Sequence, residues 1–532
     1  MYFAQLQTVA SAIRFHAGRI GDQPAIVCAG RSLGYARLYG EACRVAHALR
    51  AEGVPEQGRV AYLGKESVHY YEVFFGCALS GTVLVPINWR LTPVEVEHVL
   101  RDSDSEVLVV DRDLLKAAAE VVSASPRLRA VVVLDAGAAG DTVVTGGAGE
   151  RDFDGWKAAR PQSDPGIVTD PEDPIVQLYT SGTTGLPKGV VLAQRSLFKI
   201  RDALAKEGLD WIDWRPGDVS LIGIPGFHVG GIWWAMQGFS AGATNVAMPR
   251  FDSGVAVGLI RDLGVTTACM VPSMLRLLLA EPGSGPDDFR TLRKVVYGGS
   301  PISETLLAEC LETLDCDMAQ IYGLTETGNT AVCLPPADHV PGGPRMRAAG
   351  RPYPGVQVKI IDSDGSPVPA GTVGEVCLHS PANMLEYWRQ PEATARTLVD
   401  GWIHTGDAGR LDEDGYVFIQ DRIKDLIIVA GENIYPAEIE NVLAKHPAVA
   451  DAAVVGVPDD RFGEAVHAFV ALRPGAQAGP RDLLEFLRER IAAFKIPHRF
   501  EFVDRVPRNP SGKILRRELR DRLWQGRDRK VN

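Results

Sequence analysis

Short apolar runs that alternate with helix-like segments are the feature that most restricts the fold of this chain of 532 residues. The first runs are Val60–Leu63, Gly81–Pro86, Glu106–Val110 and Ala130–Leu134, with helical segments at Ser67–Leu79 and Thr92–Asp102. Four more follow at Val219–Ile224, Ala243–Met248, Thr266–Val271 and Lys294–Tyr297. Such alternation favours parallel strands joined by helices. The sequence therefore predicts an α/β fold with parallel sheets.

The pattern changes after about residue 350, where the apolar runs are separated by turn signals. Val356–Asp362, Gly374–His379 and Tyr416–Gln420 are interrupted by Asp364-Gly365 and Asp414-Gly415. This spacing indicates an antiparallel, β-rich subdomain. The charged segment that follows has its own helices and strands and is long enough for a small α+β domain. We expect an N-terminal domain over 1–421 and a C-terminal domain over 422–532.

Charge and composition exclude several classes of function. The net charge of −11 and a pI near 5.6 disfavour nucleic acid as a partner. No apolar run reaches the roughly 18 residues of a spanning helix, and the N-terminus lacks the features of a signal peptide. The eight cysteines show no zinc-binding spacing, even around Cys310 and Cys316. We expect reduced thiols and a cytoplasmic location.

The segment Tyr179–Gly189 has the composition of a phosphate-binding loop. Three glycines, four hydroxyl side chains (Thr180, Ser181, Thr183, Thr184) and Lys188 lie between two apolar runs. Glycines allow the backbone to approach a ligand, and free N–H groups, hydroxyls and a lysine suit a polyphosphate. The segment is not a Walker A loop, because Lys188 follows a proline. Considered alone, it also fits a flexible loop.

Four further segments carry candidate site residues, although each alone also fits an ordinary turn or a solvated charge. Tyr322 could stack on a base and Glu326 could bind Mg²⁺. Asp407, at a Thr-Gly turn, could accept hydrogen bonds from ribose hydroxyls. The segments are Tyr297–Pro301 with Gln320–Thr327, Gly401–Asp407, Asp421–Pro436 and Pro507–Lys513.

Together and in this order, the five segments resemble those of the adenylate-forming superfamily of acyl-CoA synthetases, adenylation domains and luciferases. The matching motifs are Tyr-Thr-Ser-Gly-Thr-Thr-Gly-x-Pro-Lys-Gly, Tyr-Gly-x-Thr-Glu, Thr-Gly-Asp, Asp-Arg-x-Lys-Asp and Pro-x-x-x-x-Gly-Lys. The resemblance covers residues 8–525 and implies a small, mobile C-terminal domain. It also implies ATP, Mg²⁺ and coenzyme A as ligands, with a homodimer as one option for the oligomeric state.

The resemblance assigns roles to residues in the N-terminal domain and at the domain boundary. Glu326 would ligate Mg²⁺, and Thr325 would contact the α-phosphate. Asp407 and Arg422 would hold the ribose, and Lys424 would be the hinge. The residues expected to bind the phosphates are Thr180, Ser181, Gly182, Thr183, Thr184 and Lys188, and those expected to frame the adenine are Gly298, Gly299, Ser300, Tyr322 and Gly323.

The implied reaction has two steps. A carboxylate first attacks the α-phosphate of ATP, and a thiol then displaces AMP to form a thioester. Lys513 would bridge the carboxylate and the α-phosphate in the first step. The C-terminal domain would then rotate and bring Gly431 and Glu432 to the site. His228 would position the acid, and Lys495 would lie near the pantetheine path, although it also fits a solvated lysine.

The acid is the part of the reaction that the sequence restricts least. The expected acyl pocket is apolar: Trp233, Trp234, Met236, Met270 and Met274. No charged residue occurs within Gly231–Phe239, which disfavours an amino acid, since its ammonium would need a buried anion. A fatty acid or an aryl acid is expected. The paired tryptophans could narrow the pocket or simply belong to the core.

Three alternatives to a CoA ligase stay open. The enzyme could load a carrier protein, could be an acyl-AMP ligase, or could be a silent nucleotide-binding protein. The last would not need Lys188, Glu326, Asp407, Arg422 and Lys513 together.

Overall fold

The computed structural model of the chain describes residues 1–123, 125, 127–135, 149–180, 187–429, 432–459, 463–508 and 512–524. The N-terminal part contains α1 (Val9–Arg19), β1 (Pro24–Cys28), β2 (Arg31–Gly34), α2 (Tyr35–Ala51), β3 (Arg59–Leu63), α3 (Val68–Ser80), β4 (Val83–Ile87), α4 (Pro93–Ser103), β5 (Val107–Asp111), α5 (Arg112–Ser123), β6 (Ala130–Leu134), β7 (Gly149–Asp152), α6 (Phe153–Ala158), β8 (Pro174–Thr180), β9 (Lys188–Ala193) and α7 (Gln194–Lys206).

The middle of the chain continues the alternation. It contains β10 (Val219–Ile222), α8 (Val229–Ala241), β11 (Thr244–Ala247), α9 (Ser253–Leu263), β12 (Thr267–Met270), α10 (Pro272–Leu279), α11 (Pro286–Phe289), β13 (Lys294–Gly298), α12 (Glu304–Leu314), β14 (Asp317–Tyr322), a 3-10 turn (Thr325–Thr327), β15 (Val332–Leu334), a second 3-10 turn (Pro336–Asp338) and β16 (Arg351–Pro352).

The remaining elements are mostly strands until the C-terminal domain begins. They are β17 (Gln357–Ile361), β18 (Gly374–His379), β19 (Glu386–Tyr387), α13 (Pro391–Thr397), β20 (Leu398–Val399), β21 (Trp402–Leu411), β22 (Val417–Arg422), a 3-10 turn (Ile423–Asp425), β23 (Ile427–Val429), β24 (Glu432–Ile434), α14 (Pro436–Leu443), β25 (Val449–Asp459), β26 (Gly463–Leu472), α15 (Pro480–Arg488), a 3-10 turn (Ala493–Lys495), β27 (Arg499–Phe502) and α16 (Arg516–Asp521).

Two large sheets dominate the N-terminal domain. Over the described residues, one has nine strands in the order β16-β15-β14-β13-β12-β10-β11-β1-β2, parallel from β14 to β1. The other has eight, in the order β19-β9-β8-β4-β3-β5-β6-β7, parallel from β8 to β7. The carboxyl ends of parallel strands meet at one sheet edge, which is where ligands usually bind in α/β proteins.

An antiparallel sheet of β17, β18, β20, β21 and β22 follows, as the turn signals predicted. The C-terminal domain has its own mixed sheet of β23 to β27, with separate apolar clusters under it. The predicted mixed α/β architecture with a β-rich subdomain and a separate C-terminal domain is therefore confirmed. The proposed boundary between residues 421 and 422 lies one residue before the end of β22.

The apolar pattern of the strands explains the layers. β5 and β6 are buried on both faces because helices cover the sheet on each side. α3, between the two large sheets, is buried along its whole length. The predicted strand at Gly81–Pro86 begins two residues later, because Gly81 (φ 70°) ends α3 in the left-handed region. No described helix combines the length and the apolar character needed to cross a bilayer.

Candidate active site

The predicted phosphate loop joins the two strands of a hairpin. β8 and β9 are antiparallel, and their last pair is Thr180 with Lys188. Both side chains therefore stand at the open end of the hairpin, where the loop leaves the sheet. The remaining loop residues, 181–186, lie outside the described residues. The contacts expected of Ser181, Gly182, Thr183 and Thr184 stay predictions.

Helix α4 holds both ends of this loop. The Tyr179 hydroxyl donates to Asp102 Oδ2 at 2.6 Å on one side. His98 Nε2 donates to the carbonyl oxygen of Pro187 at 2.9 Å on the other. His98 and Asp102 are one turn apart on the same helix face. A single rigid element therefore sets the width of the loop opening.

Lys188 and Glu326 approach each other through Tyr387. The Lys188 ammonium lies 5.1 Å from the centroid of the Tyr387 ring. The hydroxyl of the same tyrosine donates to Glu326 Oε1 at 2.6 Å. Trp388, the next residue, donates its backbone N–H to the Gly189 carbonyl at 2.7 Å, which fixes β19 against the loop. The cation predicted to bind phosphate and the carboxylate predicted to bind a metal thus lie on the same tyrosine.

The predicted adenine site lies at the ends of β13 and β14, which are parallel neighbours. A Cβ atom on Gly298 would come within 2.4 Å of the Ile321 carbonyl oxygen, and Gly299 has a φ of 82°. Only glycine fits both positions, so the backbone there is open to a flat ligand. Gly323 is equally confined, because its Cβ would lie 2.6 Å from the Asn329 carbonyl oxygen. Ser300 and Thr325 are half-buried beside these glycines.

Arg422 and Tyr322, which are also predicted to bind ATP, hold the side chain of Asp407. Arg422 Nε lies 2.7 Å from Asp407 Oδ1, because β21 and β22 pair these residues directly. The Tyr322 hydroxyl donates to Asp407 Oδ2 at 2.7 Å. Burial alone would lower the pKa of Arg422, but the Asp407 carboxylate raises it above its usual value. The guanidinium therefore stays charged, and Tyr322 and Arg422 together fix the orientation of the Asp407 carboxylate.

The loop before α8 carries His228 into the predicted acyl pocket. Burial, together with the charge of Arg90, lowers the pKa of His228 to about 4. Within the described residues, His228 Nε2 and Asn329 Nδ2 are buried polar atoms without a hydrogen-bond partner. Asn329 also has a φ of 95°, an unusual value for a residue other than glycine. Both nitrogens therefore keep unused hydrogen-bonding capacity inside the protein.

The same loop is anchored by a buried carboxylate. Glu66 Oε1 accepts a hydrogen bond from the Tyr71 hydroxyl at 2.5 Å, and Oε2 accepts from the Gly226 backbone N–H at 3.0 Å. Burial raises the pKa of Glu66 to about 7, although both hydrogen bonds oppose the rise. The Tyr70 hydroxyl donates to the Gly226 carbonyl at 3.0 Å.

The apolar residues expected in the pocket divide into two groups. Trp233 and Trp234 are 2 % and 1 % exposed, and Trp234 packs 5.0 Å from Trp214, so both tryptophans belong to the core. Met236 is buried on the same helix. Met270 and Met274 instead lie 3.8 Å from the Cβ position of Gly223, next to the loop that carries His228.

Lys513 lies on a loop that packs against the acyl side of the site. A Cβ atom on Gly512 would come within 2.5 Å of Ser273 Oγ, at the start of α10. Val271 is 3.7 Å from the same position and 3.4 Å from the Cβ position of Gly299. The loop that carries the lysine therefore lies next to the predicted adenine site.

Several contacts between described residues join the C-terminal domain to the N-terminal domain. One is buried, between the Arg516 guanidinium and Asp421 Oδ1 at 3.6 Å, and two others lie on the surface. Arg276 on α10 donates to the Ala450 carbonyl at 2.9 Å, and Lys445 Nζ lies 3.0 Å from Glu304. Both are exposed polar contacts, which are weak and compatible with a domain that moves.

Other predicted residues of the C-terminal domain lie apart from this centre or are not described. Lys495 Nζ donates to both carboxylate oxygens of Glu438 at 2.7 Å, within its own domain. The backbone of Lys424 lies in the 3-10 turn after β22, and that of Glu432 begins β24. Gly431 lies outside the described residues.

Sequence reasoning did not find Tyr387, His98, Asp102, Glu66 or Asn329. Each acts on a site residue that is distant in the chain, so spacing alone carries no signal for it. Only Tyr387, in an aromatic pair with Trp388 after an apolar run, offered a local hint.

Comparison with known families decides the classification. The profile of the AMP-binding enzyme family matches residues 13–388, and that of the AMP-binding enzyme C-terminal domain matches residues 438–513. The chain belongs to the AMP-binding enzyme family. As a member of this family, it is an adenylate-forming acid ligase, and the sequence resemblance is confirmed.

Among its relatives in the AMP-binding family, the chain is 62% identical over 534 residues to the fatty acid–[acyl-carrier-protein] ligase ScoC of Streptomyces coeruleorubidus, covering 100% of this chain and 99% of that one. It is 35% identical over 511 residues to the indoleacetate–CoA ligase of Aromatoleum aromaticum, covering 95% and 96%. The ATP-bound structure of MatB from Rhodopseudomonas palustris superposes with a TM-score of 0.85 at 30% identity, covering 96% and 98%.

Proposed function

We propose that this enzyme activates a fatty acid with ATP and Mg²⁺ and transfers the acyl group to the phosphopantetheine thiol of an acyl carrier protein. The observation that carries the proposal is the 62% identity, over the full length, to a fatty acid–[acyl-carrier-protein] ligase. The grouping of Lys188, Glu326 and Asp407 with Arg422 supports the nucleotide chemistry.

In the first step a carboxylate oxygen attacks the α-phosphorus, and the bond to pyrophosphate breaks. The acid is already ionised at neutral pH, so no general base is needed. Two anions must meet, and the residues therefore act by positioning and by neutralising charge. Lys188 would face the β- and γ-phosphates, and Lys513 would bridge the carboxylate and the α-phosphate.

The residues present fit a magnesium ion at Glu326. Its carboxylate supplies the oxygen ligands that Mg²⁺ prefers, and the hydrogen bond from Tyr387 orients one of those oxygens. The bound ion would neutralise charge on the phosphates. Tyr387 would keep the carboxylate pointed at the space that it shares with Lys188.

His228 and Asn329 would position the acid. Their nitrogens are unpartnered, and Met270 and Met274 lie beside Gly223, close to the loop that carries His228. Because its pKa is about 4, His228 is neutral at physiological pH and acts as a hydrogen-bonding group. An apolar pocket with few polar groups suits a fatty acid.

In the second step the thiol sulfur attacks the acyl carbon, AMP leaves and the thiol proton is released. Lys513 must then withdraw, because the loop that carries it occupies the acyl side of the site. Rotation about Lys424 would remove that loop and bring residues 431–433 to the site. The weak contacts of Arg276 and Lys445 would permit the movement.

Coenzyme A is the second candidate thiol donor. One relative, at 35% identity, is an indoleacetate–CoA ligase. Arg90 and Arg250 are exposed, and their positive charges are close enough to repel each other. Arg90 is also close enough to His228 to lower its pKa. Both candidate donors carry a phosphate at the far end of the pantetheine arm that bears the thiol, so this pair of cations suits either one.

The deciding experiment offers both thiol donors to the same enzyme. Fatty acids of increasing length and aryl acids are supplied with ATP and Mg²⁺, together with either CoA or a holo acyl carrier protein from the native cell. Pyrophosphate release and the acyl mass added to each donor are measured. The expected result is acylated carrier protein at a kcat/KM at least tenfold above that for CoA.

Apo carrier protein, which lacks the thiol, is the matched control and should stay unmodified. A higher kcat/KM for CoA would establish the CoA ligase instead. Turnover with aryl acids alone would overturn the fatty-acid assignment. If no acid in the panel stimulates pyrophosphate release, the adenylation chemistry itself is contradicted.

A further inference from the structure

Three side chains of different metal-binding types lie next to the turn Thr405-Gly406-Asp407, which we call the ribose turn. Glu375 and Cys377 stand on β18, and His404 stands on β21. One ligand atom from each residue lies within 4.8 Å of the others. The cluster is separate from Glu326, which is the expected magnesium ligand, and none of its members contacts the acid or the phosphates in the proposed reaction.

The strand register produces this cluster. Cys377 pairs directly with His404 across the two antiparallel strands, so their side chains share a face. Glu375 is two residues before Cys377 and returns to the same face, with a register irregularity between the two residues. Glu375 Oε2 accepts a hydrogen bond from His404 Nδ1 at 3.1 Å. Two adjacent strands therefore present a sulfur, a nitrogen and an oxygen to one point.

We propose that Cys377 Sγ, His404 Nδ1 and Glu375 Oε2 form a binding site for a zinc-class divalent cation, with water as the fourth ligand. Sulfur, imidazole nitrogen and carboxylate oxygen are the donors that Zn²⁺ takes in tetrahedral sites. Zinc–ligand bonds of about 2.0–2.3 Å place ligand atoms roughly 3.5 Å apart. Side-chain rotations that move the ligand atoms by about 1 Å therefore complete the site.

The surroundings favour access and charge balance. The Glu375 and His404 side chains are 23% and 26% exposed, so an ion reaches them from solvent, while Cys377 forms the buried floor. Cys377 would bind as the thiolate, so binding would displace the thiol proton. Lys359 pairs with Cys377 from β17, and its ammonium lies over the Trp402 ring at 4.3 Å.

The site connects to the ribose turn through the second oxygen of Glu375. Oε1 accepts from the Gly406 backbone N–H at 2.9 Å, one residue before Asp407. Coordination through Oε2 leaves that hydrogen bond in place. A bound ion would then link β18 to β21 directly beneath the turn and stabilise the empty enzyme against unfolding.

Cobalt titration tests the site without relying on turnover. Protein freed of any affinity tag is titrated with Co²⁺, and absorbance is recorded in the near ultraviolet and the visible. The expected result is a thiolate-to-cobalt charge-transfer band that saturates at one ion per chain and disappears on adding Zn²⁺. Cys377→Ser should abolish the band. Cys316→Ser, which removes the one half-buried thiol among the described residues, should leave it intact.

Thermal unfolding provides the second measurement and checks folding. Zn²⁺ should raise the Tm of the wild type and of Cys316→Ser, and should leave His404→Gln and Cys377→Ser unchanged. Glu375→Gln should weaken binding by about tenfold to 100-fold, the usual cost of a lost metal-site interaction. A band that persists in Cys377→Ser, a band lost in Cys316→Ser, or no cobalt binding by the wild type would overturn the proposal.

Discussion

At the scale of single residues, Lys513 offers the sharpest separation of the two proposed half-reactions. Its loop packs against Ser273 beside the acyl side of the site. A cation there helps only while charge develops on the α-phosphate. Lys513→Ala should therefore reduce adenylation by roughly 10²–10³-fold, the usual range for one electrostatic contact. Thioester formation from supplied acyl-adenylate should stay within about twofold.

Pyrophosphate exchange measures the first half-reaction, and single-turnover thioester formation measures the second. Lys206→Ala, at an exposed lysine on α7, is the matched control and should match the wild type in both. Equal losses of both half-reactions in Lys513→Ala would contradict the assigned role.

Glu66 gives a prediction for the pH dependence of stability. Its pKa is raised by burial to about 7, so the folded protein binds the proton more tightly than the unfolded chain does. Stability should therefore fall as the pH rises from about 4.5 to 7 and level off above that, by roughly 3 kcal/mol for this group. Glu66→Gln, which mimics the protonated form, should unfold at higher denaturant than the wild type at pH 8.

The comparison at pH 5 is the control for Glu66→Gln. There the wild-type carboxyl is protonated in the folded state, so most of the difference between the two proteins should vanish. Urea unfolding at pH 5 and at pH 8 measures the difference in the free energy of unfolding between the two proteins. A variant that is equally destabilised at both pH values would show that the glutamine fails to replace the contacts to Tyr71 and Gly226.

At the scale of elements, α4 holds the two described stems of the predicted phosphate loop. Asp102 holds Tyr179 at one stem, and His98 holds Pro187 at the other. Asp102→Ala should leave the Tyr179 hydroxyl without its acceptor and loosen the loop. We expect the KM for ATP to rise about tenfold, consistent with a loss of one to two kcal/mol from a charged hydrogen bond. The KM for the acid should not change.

Glu97→Gln is the matched control for Asp102→Ala. It lies on the same helix, and its carboxylate contacts only Arg101 among the described residues. Initial rates of pyrophosphate release at varied ATP and varied acid measure both constants. A rise in both KM values for Asp102→Ala would indicate general loss of the fold instead of a loosened loop.

At the scale of the whole molecule, the proposed second step requires movement of the C-terminal domain. β22 ends at Arg422, and Lys424 lies in the 3-10 turn that begins the connection to that domain. Proline fixes φ and removes an N–H, so Lys424→Pro should restrict rotation there. We expect adenylation within about threefold of wild type and thioester formation reduced by at least tenfold.

Lys424→Ala, which keeps the backbone free, is the control and should retain both half-reactions. Each is measured separately, as for Lys513. If thioester formation survives in Lys424→Pro, the hinge lies elsewhere between the two domains.

The sequence by itself determined the class of fold and the family. The alternation of strands and helices can be read locally, because each element has its own apolar pattern. Lys188, Glu326, Asp407, Arg422 and Lys513 stand in short motifs whose order carries the family resemblance. Their ligand contacts stay predictions, and these predictions need only the chemistry of each residue and its place in a motif.

Only the tertiary structure decided which residues support those motifs. Tyr387 connects Lys188 to Glu326, and Asp102 reaches Tyr179 from a helix that lies 77 positions earlier. The two tryptophans of α8 had two possible fates in the sequence, and the fold buries both of them, with Trp234 5.0 Å from Trp214. Contacts of this kind depend on where the chain returns in space, because long-range packing has no local periodicity in the sequence.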